Sequence, residues 1–343
     1  MEKYFAASNS SEGFCSYYDS VFDIKKYEKI YAIKGGSGTG KAFFMKAVAK
    51  VAQEKGFSVR YIYCSSDASS LDGIIIEEPK IALLDGTAPH IYEPKLLGAV
   101  DEIVDLGAFL NGEMLVRSKN EIEHILKSKK HGFDMAYRYL KSYRLLSQNI
   151  EELVYPCLKL EKMRKYASGF AKNISEGAGN IEHRLVRAIG MRGLSFFETY
   201  YESSKVYYAI EDWFESAHIL LDFIYRTFLE KRANIYISNN PIISQRLDAL
   251  STADGGLCFE ITDIERDGAR RINMKRFIDF DSASKIRNEY RTISRIRKNV
   301  LDMALQEFEK IKKYHFRIED IYGAAMDFDA KEQFTHEFCN KIL

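Results

Sequence analysis

Along this 343-residue chain the apolar positions keep two different periods, and each change of period marks an element. Lys29–Lys34 is rich in β-branched and aromatic residues and predicts a strand, with a glycine-rich run directly after it. Phe43, Phe44, Ala47, Val48 and Val51 then recur every three or four residues, which predicts a helix that Gly56 stops. Residues 59–64 form the next extended run. Strand, crossover helix and strand make a βαβ unit, expected to be right-handed with parallel strands. A third strand over residues 80–84 ends at Asp85, and the apolar residues 74–76 before it are either a short strand or the approach to one. The α/β pattern extends to about Leu110.

From residue 113 to about 172, charged stretches are punctuated by Ile, Leu and Tyr, and Pro156 is the only proline; this predicts a helical hairpin. Lys127, Lys129 and Lys130 interleave with Glu121 and Glu123, so that surface reads as a solvated face rather than a nucleic-acid patch.

The second half repeats the first in order. Gly13 and Phe14 match Gly193 and Leu194, and residues 29–33 match 206–210. Residues 62–67 match 235–240. Residues 134–136 and 149–153 recur at one constant offset as 302–304 and 317–321. The expected organisation is therefore two homologous halves, 1–178 and 179–343, joined through the loop-like residues 175–180. Each would be an α/β unit with parallel strands, helices on both sheet faces and a helical hairpin.

Hydrophobic residues make up 46% and charged residues 29% of the chain, which excludes a disordered protein. A net charge of +1 provides no global field for nucleic acid or an anionic membrane. The opening residues lack the apolar core of a signal peptide, and no stretch approaches the roughly 20 apolar residues that span a bilayer. A cytoplasmic protein with no membrane partner is the expectation. The five cysteines show no C-x-x-C spacing, so no Cys or His metal site is expected, and Cys64 reads as a buried small hydrophobe.

Chemistry concentrates in Gly35, Gly36, Ser37, Gly38, Thr39, Gly40 and Lys41, which fit G-x-x-x-x-G-K between a predicted strand and a predicted helix. Glycines let successive backbone N–H groups point at phosphate oxygens, Lys41 adds a point charge, and the helix adds its positive N-terminal end. Ala42 stands where a Ser or Thr hydroxyl would meet magnesium, so metal binding is weakened and would fall to Asp85 or to Thr39. Asp85 ends an apolar strand as a Walker B aspartate does; it is also an ordinary turn former before Gly86. No glutamate follows it. Asp67, after Ser65 and Ser66 at a strand's carboxyl end, is either a catalytic carboxylate in the ligand crevice or the cap of a turn. His90 is a weaker candidate for phosphate contact. In the second half, residues 211–218 align with the phosphate loop but hold no glycine, place His218 opposite Lys41 and carry three carboxylates, so no nucleotide is expected there.

The opening Tyr4, Phe5 and Ala6, the phosphate loop, residues 64–67, residues 71–73 and residues 84–90 together resemble a family of bacterial tandem P-loop proteins described only as ATPases. The resemblance covers nearly the whole chain and implies a P-loop nucleoside triphosphatase fold and ATP binding. Members generally have Ser or Thr after the loop lysine and often a second intact loop; this chain departs at both places. The expectation is an ATP-binding protein, at most a slow ATPase, in which Lys41, Asp85 and Asp67 are the catalytic candidates and a protein partner of unknown identity reads the nucleotide state. Two alternatives are a small-molecule kinase, with Asp67 or His90 near an acceptor hydroxyl, and a non-catalytic nucleotide-binding interaction module, for which Ala42 argues.

Overall fold

The computed structural model describes residues 2–89 and 91–343. The first half contains β1 (Lys3–Phe5), a hairpin of β2 (Ala7–Ser10) and β3 (Gly13–Ser16), the short helix α1 (Tyr18–Val21), β4 (Lys29–Lys34), α2 (Lys41–Glu54), β5 (Val59–Tyr63), β6 (Leu71–Ile76), β7 (Ile81–Asp85) and β8 (Asp101–Asp105). Then come α3 (Gly112–Arg117), the long α4 (Lys119–Val154) and α5 (Leu160–Ser168). The second half repeats this series as β9 (Ile181–His183), β10 (Arg187–Gly190), β11 (Gly193–Phe196), α6 (Thr199–Ser203), β12 (Val206–Glu211), α7 (Ala217–Glu230), β13 (Ile235–Asn239), β14 (Leu247–Thr252), β15 (Leu257–Ile261) and β16 (Arg270–Asn273). It ends with α8 (Phe280–Ala324) and α9 (Phe328–Ile342).

The two six-stranded sheets have the same order, β1-β5-β6-β7-β4-β8 and β9-β13-β14-β15-β12-β16. In each, one strand, β6 or β14, runs antiparallel to both neighbours and the remaining pairs are parallel. Residues 74–76 are thus part of a strand, and two strands separate β4 from β5 instead of leaving them adjacent. The repeat aligns through the bulges after Ile62 and Ser238, which pair Tyr63 with Leu71 and Asn239 with Leu247. Val59 therefore corresponds to Ile235, three residues from the alignment read from sequence. The long helices keep the sequence-derived offset: the bridge residues Leu110 and Leu158 correspond to Ile278 and Met326.

Alternation along the strands explains the layering. On β4, Tyr31 and Ile33 face Phe44, Met45 and Val48 of α2 and Phe338 of α9, whereas Ile30 and Ala32 belong to a second cluster. That cluster also contains Tyr207, Ala209, Ala249 and Cys258 of the other sheet, with Tyr18, Phe22 and Tyr200 from α1 and α6. Each sheet accordingly carries the longer helices on its outer face, while its inner face meets the short helices α1 and α6 and the other half. The inner face is as apolar as the outer one, and the short helices together with the other half's sheet cover it.

The predicted hairpin within residues 113–172 does not fold back on itself. Helix α4 instead packs antiparallel along α8, with Glu121 paired to Arg317 at one end and Ser147 bonded to Arg297 at 3.1 Å toward the other. Ile125, Gly132, Ala136, Leu140 and Ile150 of α4 and Ala304, Phe308, Ile311 and Ile318 of α8 are buried at the three- and four-residue spacing of a helix seam. Each long helix crosses to the opposite half. Helix α5 packs on α7, and α9 packs on α2 through Phe334 and Phe338 against Phe44. Short backbone bonds pin both crossings, Asn111 N to Ala325 O and Lys159 N to Phe277 O, each 2.8 Å.

Candidate functional site

Strand β4 lies between β7 and β8, and residues 35–40 connect its end to the first residue of α2, Lys41. Gly38 and Gly40 have φ of +84° and +79°, a region where a side chain is strained. The Lys41 ammonium turns back over the loop and donates to Gly35 O and Gly36 O, each at 2.9 Å. The Thr39 hydroxyl, fully buried, donates to Gly36 O at 2.9 Å, and Ser37 is half-buried. Because β7 pairs directly with β4, with Ile33 opposite Asp85, the Asp85 carboxylate comes 3.5 Å from Lys41 Nζ. Its other oxygen accepts from Thr87 N at 2.9 Å and from the Thr87 hydroxyl. Burial raises the Asp85 carboxyl above its ordinary range, aided by Asp72 and opposed by Lys41 and Thr87. Ala42 packs against the α2–α9 core, so position 42 offers this site a methyl group only.

Residues distant in sequence cover the loop. A methyl group on Gly36 would stand 2.9 Å from the Tyr322 ring, and one on Gly38 would stand 2.5 Å from Glu319 O, both on α8. One on Gly40 would stand 2.7 Å from Lys331 Nζ, on α9. Close by, Lys129 Nζ of α4 is 3.2 Å from His315 Nδ1, and His315 Nε2 is 3.3 Å from Glu319. Burial lowers the Lys129 ammonium, with Lys41 acting in the same direction and Glu319 against it. Of the lysine cluster read as a solvated face, Lys127 and Lys130 are exposed; Lys129 turns inward because it lies on the α4 face that meets α8. Sequence reasoning missed Lys129, His315, Glu319, Tyr322 and Lys331. The repeat could have flagged Lys129, since the helix offset places it opposite Arg297.

Asp67 sits elsewhere in the network. Its carboxylate pairs with Arg192 of the β10–β11 turn and accepts from Ser69 N at 3.1 Å and Ser69 Oγ at 2.8 Å. Burial is outweighed by these partners, and the Asp67 carboxyl lies below its ordinary range. Met191 N donates to Ser66 O at 2.8 Å, so residues 65–67 form the seat for the second half's hairpin turn. Among the described residues no hydrogen bond or ion pair joins Asp67 to the 35–41 loop. Burial and the Asp72 carboxylate push the Cys64 thiol well above its ordinary range, which keeps it protonated. His90 lies outside the described residues.

The second half fills its own loop. Helix α7 begins at Ala217, so Ala217, not His218, stands opposite Lys41. Phe214 keeps at φ +53° the positive φ of Gly38, and Glu215, at φ +56°, stands where Thr39 has no positive φ. Each of the three carboxylates has an internal partner. Glu211 pairs with Arg271, Asp212 accepts from Ala217 N at 2.9 Å, and Glu215 makes a two-pronged pair with Arg297 of α8. The loop carries an anion of its own against that arginine.

A cleft of about 690 Å³ lies between the α4–α5 segment and α7, beside His218. Its arginines are already paired: Arg144 with Glu12, Arg164 with Glu161, Arg226 with Asp222 and Arg246 with Glu151. Among the described residues no group of three or more His, Cys, Asp or Glu side chains is placed to hold a metal ion. No helix among them is long and apolar enough to cross a membrane. Comparison with family models, curated proteins and solved structures finds no match to this chain.

Proposed function

We propose that this chain is an ATP-binding P-loop protein whose first half holds the nucleotide, hydrolyses it slowly at most, and passes its state to a protein partner through the α4–α8 pair. One observation carries the reading: the 35–41 loop joins β4, an interior strand parallel to both neighbours, to a helix N-terminus, with Lys41 folded over it and Asp85 beside Lys41. Backbone N–H groups, the helix end and the lysine all favour one polyphosphate. Lys41 would exchange its two carbonyl partners for phosphate oxygens.

Magnesium, when bound, neutralises phosphate charge; among the described residues Asp85 is the carboxylate paired with Lys41 and would hold it, without help from position 42. Hydrolysis lacks an evident base, since Asp67 is committed to Arg192 and Gly86 follows Asp85. The same pairing argues against Asp67 as the base of a small-molecule kinase. Ala42 favours a second reading, a non-catalytic module that binds nucleotide without turnover.

Calorimetric titration of ATP with and without magnesium, on wild type and Lys41→Ala, tests the reading. Loss of the charged hydrogen bonds should weaken binding about tenfold or more in the variant. Equal affinity of the two proteins overturns it. Phosphate release by wild type separates the slow ATPase from the module.

A further inference from the structure

The internal repeat supplies a comparison within one molecule. In the second half the cation above the loop is Arg297 of α8, 13% exposed, and both its terminal nitrogens donate to the Glu215 carboxylate from the loop itself, with Ser147 of α4 alongside at 3.1 Å. At the constant helix offset, Arg297 corresponds to Lys129, Ser147 to His315 and Glu151 to Glu319. Counted back from the helix start, Glu215 corresponds to Thr39, whose hydroxyl is turned inward to Gly36 O. The first half thus keeps the cation and lacks the loop anion.

A second cation stands at the same loop from another direction. Lys331 of α9 is 8% exposed, and its Nζ lies against Gly40. Among the described residues its Nζ makes no hydrogen bond or ion pair; it lies 5.1 Å from the centre of the Phe328 ring, with Glu332 the neighbouring carboxylate on the same helix. Burial lowers the Lys331 ammonium against the opposing pull of Glu332, and a largely buried ammonium with no bonded partner gains from an anion that joins it. In the second half the corresponding residue is Met163, inside an apolar cluster. The unpaired charge is therefore confined to the half with the glycine loop.

We propose that Lys129 and Lys331, brought by the crossing helices α4 and α9, complete the polyphosphate site of the 35–41 loop, with the nucleotide phosphates taking the place that the Glu215 carboxylate fills in the second half. This rests on the nucleotide reading above. It explains why the long helices cross between halves: the connections themselves carry the charges that respond to phosphate, so binding at one sheet pulls directly on the α4–α8 pair. Glu319 and His315 adjoin Lys129 and set its position rather than touching phosphate.

The test is calorimetry of ATP, ADP and inorganic triphosphate on the full chain carrying Lys129→Met, Lys331→Met, Lys129→Arg or Lys41→Ala. Each methionine variant should lose about tenfold in ATP affinity, with a shallower salt dependence, while Lys129→Arg retains binding. The apo melting temperature of Lys331→Met should stay level or rise, because a buried unpaired charge is removed. Lys41→Ala abolishing binding while both methionine variants stay within about twofold of wild type overturns this inference and leaves the nucleotide reading intact. A wild type that binds none of the three ligands overturns both.

Discussion

Replacing Gly38 by alanine puts a methyl group against the backbone of α8, and the cost can be worked out beforehand. The new carbon would lie 2.5 Å from Glu319 O, 3.0 Å from Glu319 Cα and 3.1 Å from Tyr322 Cβ. Two of these are main-chain atoms of a helix, so no rotamer change relieves the contact. Left-handed backbone alone costs a non-glycine residue about 1 kcal/mol, and overpacking adds about 1–3 kcal/mol. The expected loss is about 2–4 kcal/mol. Gly56 is the control: its φ is +87°, and nothing lies within 4 Å of a carbon built there, so Gly56→Ala should cost only the conformational part, about 1 kcal/mol. Urea unfolding of both variants measures the difference. Hydrogen exchange across residues 315–325 shows whether α8 lifts off the loop instead of unfolding with it. Equal losses for the two variants, with unchanged exchange in α8, would refute the conclusion that α8 is seated on the 35–41 loop.

Further outcomes follow from the same geometry. Arg232 ends α7 with φ of +51° where Gly56 ends α2, so Arg232→Gly should stabilise the protein by about 0.5–1 kcal/mol in denaturant titration; a loss would show that the arginine side chain matters more than the strain. Arg297→Met leaves Glu215 partly buried without its partner and should cost about 2–4 kcal/mol, whereas the double variant with Glu215→Gln should lose less than the sum of the single changes. Strict additivity would mean the pair is not coupled. The Glu151 carboxyl, bonded to His218 and held beside Arg246, is lowered from 4.5 to about 2. A depressed folded value gives stability that is present above about pH 4.5 and lost as the pH falls toward about 2. Glu151→Gln should flatten the acid limb of the stability profile in that window, and an unchanged profile would show that other carboxylates set it.

The crossed connections also limit what either half can do alone. Helix α9 supplies Phe334 and Phe338 to the core over α2, and α5 supplies Met163 and Ala167 to the core over α7. A cut between the halves would leave each sheet with an apolar outer face stripped of one helix. Folding of each α/β unit therefore requires both, although their sequences are independent repeats.

Local pattern made much of the first half legible in advance. Alternation placed β4 and β5, helical spacing placed α2, and the motif at residues 35–41 with its Ala42 departure needed no structure, because each depends on neighbours a few residues away. The repeat was legible too, although its register at β13 slipped by three residues: the strand matches are short, and the bulge that aligns them exists only through pairing with β14. What covers the sheets and the loop was decided by tertiary structure. Nothing near residue 129 states that its lysine faces His315, and nothing near residue 38 states that Glu319 and Tyr322 will lie over it. Those contacts arise because two long amphipathic helices bury their seams against each other and, in doing so, carry each chain segment to the opposite half. Asp67 shows the converse: its position after a strand suits chemistry and capping equally, and the Arg192 that pairs with it is brought by the second half.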